Sequence, residues 1–167
     1  SDNADKGSTP EDGPDVLKMD NFTYDANHSM IDGLWVGYYD IVSAANNAIF
    51  HMEKFYEAQQ SEENKAYVLQ CSAESKFIRA YAYFNLVRLF GGVPKIDRTM
   101  TAQELGNLPA MTVEQTYEFI CKDLDEAIEV LPESFAEKGR YNRYSAMGLK
   151  SKVALYMKDW NEAAAQA

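Results

Sequence analysis

The chain has 167 residues, 46% of them hydrophobic and 25% charged, the balance of a globular domain or of part of one. Its Lys and Arg number 16 against 26 Asp and Glu, a formal net charge of −10. That balance repels nucleic acid and anionic membrane surfaces, while neutral ligands such as sugars, and cationic partners, stay open. No stretch approaches the roughly 18 apolar residues of a membrane span, and the opening SDNADKG carries neither a signal peptide nor a lipidation cysteine.

Residues 1–30 are polar and rich in Gly, Pro, Asp and Asn, which predicts an irregular N-terminal loop and a candidate ligand-facing segment. Apolar residues then recur at helical spacing from Ile31 to about Tyr56: Leu34, Trp35, Tyr38, Ile41, Val42, Ala45, Ile49, Met52 and Phe55. After the polar connection EAQQSEEN, a second helix is predicted from about Ser61 to Phe90. Ala73, Ala80, Tyr81, Phe84 and Val87 gather around Phe77 on one face, and Ile78, Ala82, Leu86 and Leu89 form a second apolar sector. A helix apolar on two sectors must be covered from both. Gly91 and Gly92 end it, and Pro94 prevents resumption.

KIDRTMTAQELGNLPAM reads as a crossing segment without a clear period. Thr112 and Gln115 form a capping-box pattern for a third helix that ends near Leu131, before Pro132. Its apolar stripe is Val113, Tyr117, Ile120, Leu124, Ala127, Ile128 and Leu131. PESFAEKGRYNRY is a loop, a fourth helix runs from Ser145 to Met157, and a fifth starts at Asp159. Antiparallel helix pairs with short connections predict an all-α fold, a tetratricopeptide-like α-solenoid over 31–167. The last segment, KDWNEAAAQA, is a turn and a helix start, and a helix of about seven residues is marginal alone. The reading is therefore the first part of a larger array, incomplete at its C-terminus.

The turn Lys158-Asp159-Trp160-Asn161-Glu162-Ala163 resembles the G-D-Y-E-E-A turn of tetratricopeptide repeats, with Lys158 in place of Gly. A more specific match is AESKFIRAYAYFNLVRLFGGVPKI. It closely resembles the SusD/RagB signature Ala-Glu-x-x-Phe-x-Arg-Ala-Tyr-x-Tyr-Phe-x-Leu-Val-Arg-x-Phe-Gly-x-Val-Pro. WVGYYDIVSAANNAI is similar to that family's Trp-x-x-x-Tyr-x-x-Ile-x-x-Ala-Asn helix, and RYNRYSAMGLKSKVALYMKDW to its following repeat.

What this resemblance implies is a non-catalytic, surface-exposed lipoprotein of the outer membrane. Such a protein captures oligosaccharide or another nutrient and delivers it to a SusC-like TonB-dependent transporter. Membrane attachment would run only through an N-terminal lipid anchor absent from this sequence. The alternative reading, a tetratricopeptide-type adaptor for protein partners, would have regular units of about 34 residues. The long second helix and the crossing after Pro94 argue against that regularity.

The ring-rich second helix poses a choice between sugar stacking and core packing. Phe77, Tyr81, Phe84 and, on the first helix, Trp35 sit at core spacing, so packing is the expectation. Glu74, Arg79 and Arg88 share the second helix and are expected to have a structural role, paired with partners or with backbone carbonyls, since unpaired buried charge costs several kcal/mol. Ligand contacts are assigned to Asp2, Asn3 and Asp5, where the family carries a Ser-Asp-(Asp/Asn) loop. These side chains offer the acceptors and amide donor that sugar hydroxyls need. No aromatic residue precedes Phe22, so a stacking platform is expected from the C-terminal part.

His28 and His51 are isolated, no metal or cofactor is implied, and no nucleophile–base pairing suggests an enzyme. Asp123, Asp125 and Glu126 read as solvated helix-face acids, and Cys71 and Cys121 as small hydrophobes within helices.

Overall fold

In the computed structural model, residues 9, 11–135 and 137–167 are described. The chain divides into two units, Ser1–Gly37 and Tyr38–Ala167.

The first unit holds α1, Pro14–Asp20, and the start of α2, Ser29–Ala58. Pro14 sits in the first turn of α1, where its preset φ suits a helix and its missing N–H leaves no intrahelical bond unmade. This helix corrects the expectation of unbroken loop over 1–30. Leu34, placed on the core stripe by its spacing, is exposed, and Trp35 is half-buried.

The second unit is a row of helices: the rest of α2, then α3 Glu62–Phe90, α4 Ala102–Gly106, α5 Val113–Val130, α6 Arg143–Met157 and α7 Trp160–Ala165. The register of side-chain contacts shows α2 with α3, α3 with α5 and α5 with α6 to be antiparallel. Asn46 and Tyr39 of α2 meet Arg79 and Tyr83 of α3. Lys76, Arg79 and Tyr83 of α3 meet Glu126, Asp123 and Phe119 of α5. Cys121 and Asp125 of α5 meet Met157 and Lys150 of α6, and Ser151 of α6 donates to the Ala163 carbonyl in α7. Apart from one bridge, Pro94 with Ala110, the described elements are all helical.

Periodicity explains the packing. In α2 the buried residues are Val42, Ala45, Asn46 and Ile49, a single stripe at helical spacing. In α3 every residue from Arg79 to Val87 is buried except Tyr81, because α2 and α5 cover two sectors. Complete burial of Phe84 and Leu86 stabilises the unit by about 1.5–3 kcal/mol per side chain. Tyr81 is 47% exposed, which corrects its assignment to the core, and Leu89 is exposed as well.

Gly91 terminates α3 at φ 76°, and its N–H donates to the Val87 carbonyl. The crossing segment then pairs back through the Met111 N–H and the Val93 carbonyl, 3.0 Å apart. It contains α4, unread in the sequence, which opens with a capping box of Thr101 and Glu104. The box of Thr112 and Gln115 starts α5 as its spacing predicts. Among the described residues no helix is long and apolar enough to cross a membrane.

Candidate functional site

The first unit is held by a lock of short-range polar contacts. His28 is buried, its Nε2 donates to the Asp15 carbonyl at 2.9 Å, and its Nδ1 accepts from the Met30 N–H. Ser29 Oγ donates to Asp15 Oδ2 at 2.6 Å, and the Tyr24 ring meets His28 edge-on. The Ser29 and Lys18 bonds hold the Asp15 carboxyl below its ordinary range. His28, isolated in the sequence, is thus a satisfied anchor.

The chain leaves α1 through a complete Schellman motif. The Phe22 N–H donates to the Met19 carbonyl and the Thr23 N–H to the Lys18 carbonyl. Glycine usually fills the left-handed position of this motif; here Phe22 occupies it, at φ 54° and 79% exposed. A side chain in that conformation costs about 1–2 kcal/mol, and a ring so exposed recovers little of it by burial. Asp2, Asn3 and Asp5, the ligand contacts expected from the sequence, lie outside the described residues.

In the second unit, a buried polar knot fastens the crossing segment. Arg79 reaches both carboxylate oxygens of Asp123 at 2.7 Å, and its Nη1 donates to Asn46 Oδ1 and the Asp97 carbonyl. Asn46 donates to the Ile96 carbonyl at 2.8 Å and Tyr39 to the Pro94 carbonyl at 2.8 Å. The Tyr83 hydroxyl accepts from the Ile96 N–H at 2.7 Å. Burial pushes the Tyr83 phenol up to about 12, so it is a neutral hydrogen-bonding group at physiological pH. Burial also pushes the Asp123 carboxyl up, and the Arg79 hydrogen bonds pull against it. Asp123 is therefore not the solvated acid its neighbours suggested. Asp125 and Glu126 keep some exposure and pair with Lys150 and Lys76.

Glu74 meets Arg140 in a two-point pair at 3.1 and 2.8 Å, as the sequence predicts of a charge on α3. Arg88 is held by a backbone carbonyl and neutral side chains. It is exposed, and its guanidinium lies beside the Phe84 and Tyr156 rings, with centroid distances of 4.5 and 5.4 Å. It donates to the Asn85 side chain, the Phe84 carbonyl and, at 3.5 Å, the Tyr156 hydroxyl. Because α3 ends two residues later, at Phe90, the charge reaches solvent and no carboxylate partner is required.

Phe77 packs its ring on Tyr141 and, like Phe84, is buried, so both belong to the core. A shallow hollow of about 350 Å³ lies beside the crossing segment, lined by Lys95, Met111, Gln115, Glu118, Phe119 and Lys122. Among the described residues no group of three His, Cys, Asp or Glu side chains gathers at metal-binding distance.

The antiparallel helices of the second unit define an all-α helical scaffold. A protein-family model, SusD-like_3, described as starch-binding associating with outer membrane, matches residues 2–155. The chain belongs to this SusD-like family. A SusD-like protein of Bacteroides ovatus is 32% identical over 131 residues, 78% of this chain and 23% of that protein. SusD-like protein P2 of Formosa agariphila is 31% identical over 151 residues, 90% of this chain and 29% of its own length. The chain therefore spans between 23% and 29% of these two relatives. Among solved structures, a laminarin-binding SusD-like protein superimposes with a TM-score of 0.84 at 30% identity, over 96% of this chain and 34% of that one. A structure solved with xylogluco-oligosaccharide gives 0.72 at 31% identity, over 92% and 29%.

Proposed function

We propose that this protein is a non-catalytic glycan-binding protein of the outer-membrane surface that captures oligosaccharide and delivers it to a SusC-like TonB-dependent transporter. The observation that carries this reading is the superposition of 96% of the chain on a laminarin-binding relative with a TM-score of 0.84. The structure solved with xylogluco-oligosaccharide supports the same ligand class. The net charge of −10 is compatible with a neutral sugar and unfavourable for a polyanion. The polar knot and the Glu74–Arg140 pair act on the scaffold, so ligand contacts fall to the N-terminal segment, Asp2, Asn3 and Asp5 included, and to the remainder of the polypeptide. An N-terminal lipid would hold the protein at the membrane.

The test uses the full-length protein on a glycan array, followed by calorimetry with the best binder and chromatography of the recovered sugar. Binding of an unaltered oligosaccharide, with co-purification of a TonB-dependent transporter from outer membranes, is the expected result. A protein that binds no glycan, or returns a cleaved one, contradicts the proposal.

A further inference from the structure

We infer that Arg88 is a carboxylate receptor: its guanidinium takes an acidic side chain from the part of the full-length polypeptide outside this chain, and the pair fastens that part against α3 and α6.

Arg88 stands apart from the other described arginines. Arg79, Arg98, Arg140 and Arg143 pair with Asp123, Glu104, Glu74 and Glu133 in turn. Arg88 alone among them meets no acid, in a chain with 26 acidic residues against 16 Lys and Arg. Its plane is nevertheless fixed, 4.5 Å from the Phe84 ring centroid and 5.4 Å from that of Tyr156. Nε donates to the Phe84 carbonyl, Nη2 to Asn85 Oδ1 and Nη1 to the Tyr156 hydroxyl. A guanidinium carries five N–H donors, so one N–H on each terminal nitrogen is left to take a further acceptor. A carboxylate, with two oxygens in one plane, is the acceptor whose shape matches such a fork. The local field favours the same group. The Arg88 hydrogen bond and charge, and then the charge of Lys152, hold the Tyr156 phenol below its usual range.

The surroundings point to a polypeptide as the source of that carboxylate. Tyr81, two helical turns before Arg88, Leu89 beside it and Tyr156 across from it are 47%, 53% and 50% exposed. Exposed rings and a leucine around an oriented arginine compose the kind of patch that another polypeptide surface covers. The rest of the same molecule is the occupant, because this chain spans only 23% and 29% of two relatives and most of the polypeptide lies outside it. A tethered segment docks without the translational and rotational loss that a separate partner must overcome, so a single ion pair on a shallow face is enough to position it.

The full-length protein carries the test. In an Arg88→Lys variant, a water-soluble carbodiimide joins the introduced amine to a carboxylate in direct contact, and mass spectrometry of the digest reads the junction. The expected product links position 88 to an Asp or Glu outside residues 1–167 of the same molecule. In Arg88→Gln, which removes the charge and keeps a polar side chain, hydrogen exchange in the linked segment should accelerate about tenfold. The Tyr83 and Phe84 amides inside α3 should keep their wild-type rates. No junction, a junction to an acid within residues 1–167, or one to a second molecule overturns the assignment. Unchanged exchange throughout the Arg88→Gln protein overturns it as well.

Discussion

Arg79 and Asp123 face each other across α3 and α5 in a two-point ion pair, each nitrogen 2.7 Å from a carboxylate oxygen, with both side chains almost wholly buried. Two charges removed from water gain little net stability as a pair, yet either one left alone is strongly unfavourable. Arg79→Ala or Asp123→Ala should therefore destabilise the full-length protein by about 3–5 kcal/mol in chemical denaturation. The double replacement Arg79→Met with Asp123→Leu should cost clearly less than the sum of the two single changes, because no orphan charge remains. Additive losses would show that the pair is not coupled and that its role lies elsewhere.

The knot around that pair is what places residues 94–97, and its removal should be visible locally. Tyr83→Phe takes away the acceptor of the Ile96 N–H, leaving a buried donor unmade at about 1–3 kcal/mol. Hydrogen exchange at the Ile96 amide should accelerate more than exchange in α5. An Ile96 amide that stays as slow as in the wild type would contradict this account.

Gly92 makes a separate demand on the same region. A Cβ at this position would collide with the Met111 carbonyl oxygen and crowd Thr112, both backbone groups that cannot swing aside. The Val93–Met111 hydrogen bond would have to open. Gly92→Ala is expected to destabilise the fold by about 1–3 kcal/mol, whereas Gly106→Ala, which meets open space, should change little. Equal effects of the two substitutions would refute the close-approach argument.

Which of these features could be read in advance depends on how far apart their causes lie along the chain. Val42, Ala45 and Ile49 were legible because one helix sets their spacing, and the box of Thr112 and Gln115 because both members are local. Helices α1 and α4 span two turns or fewer, too short for a period to emerge, although the Thr101–Glu104 box was a usable signal. Asp123 was misread because its sequence neighbours are exposed acids while its partner is 44 residues away. Its place beside Ile120, Leu124 and Ala127 on the apolar stripe was the available clue. Tyr81 follows the same logic in reverse: helical arithmetic put it beside Phe77, but coverage by α2 and α5 leaves a strip that only the assembled structure defines. Phe22 gave no signal, because the residue that marks its motif is glycine.

Glu104 supplies a pH prediction. The Arg98 side chain, first, and then the Thr101 N–H and hydroxyl hold its carboxyl at about 2, well below the usual carboxylate range. For a depressed carboxylate the stabilising contribution is present above the ordinary value and is lost as pH falls from there through the folded value. The capping of α4 should thus persist at neutral pH and weaken between about pH 4.5 and 2. An NMR titration of the Glu104 carboxyl and the Thr101 amide checks this, and Arg98→Ala should move the midpoint upward. A wild-type midpoint at the ordinary glutamate value would contradict the pairing.

Lys158 ends α6 in the left-handed conformation, at φ 63° and ψ 23°, with its N–H donating to Leu155 and the next N–H to Ala154. Its φ lies in the left-handed region, where glycine alone carries no steric penalty. Lys158→Gly should remove the steric penalty and raise stability by about 1 kcal/mol, offset in part by the greater freedom of glycine in the unfolded chain. Lys158→Val should lower stability, since a β-branched side chain fits the left-handed region poorly. Denaturation of the two variants alongside wild type gives the order Gly, Lys, Val if the turn is constrained as described. Any order with Val above Lys would mean that the chain relaxes here, and that α7 is held against α6 by contacts such as Ser151–Ala163 and Lys150–Glu162 rather than by the turn.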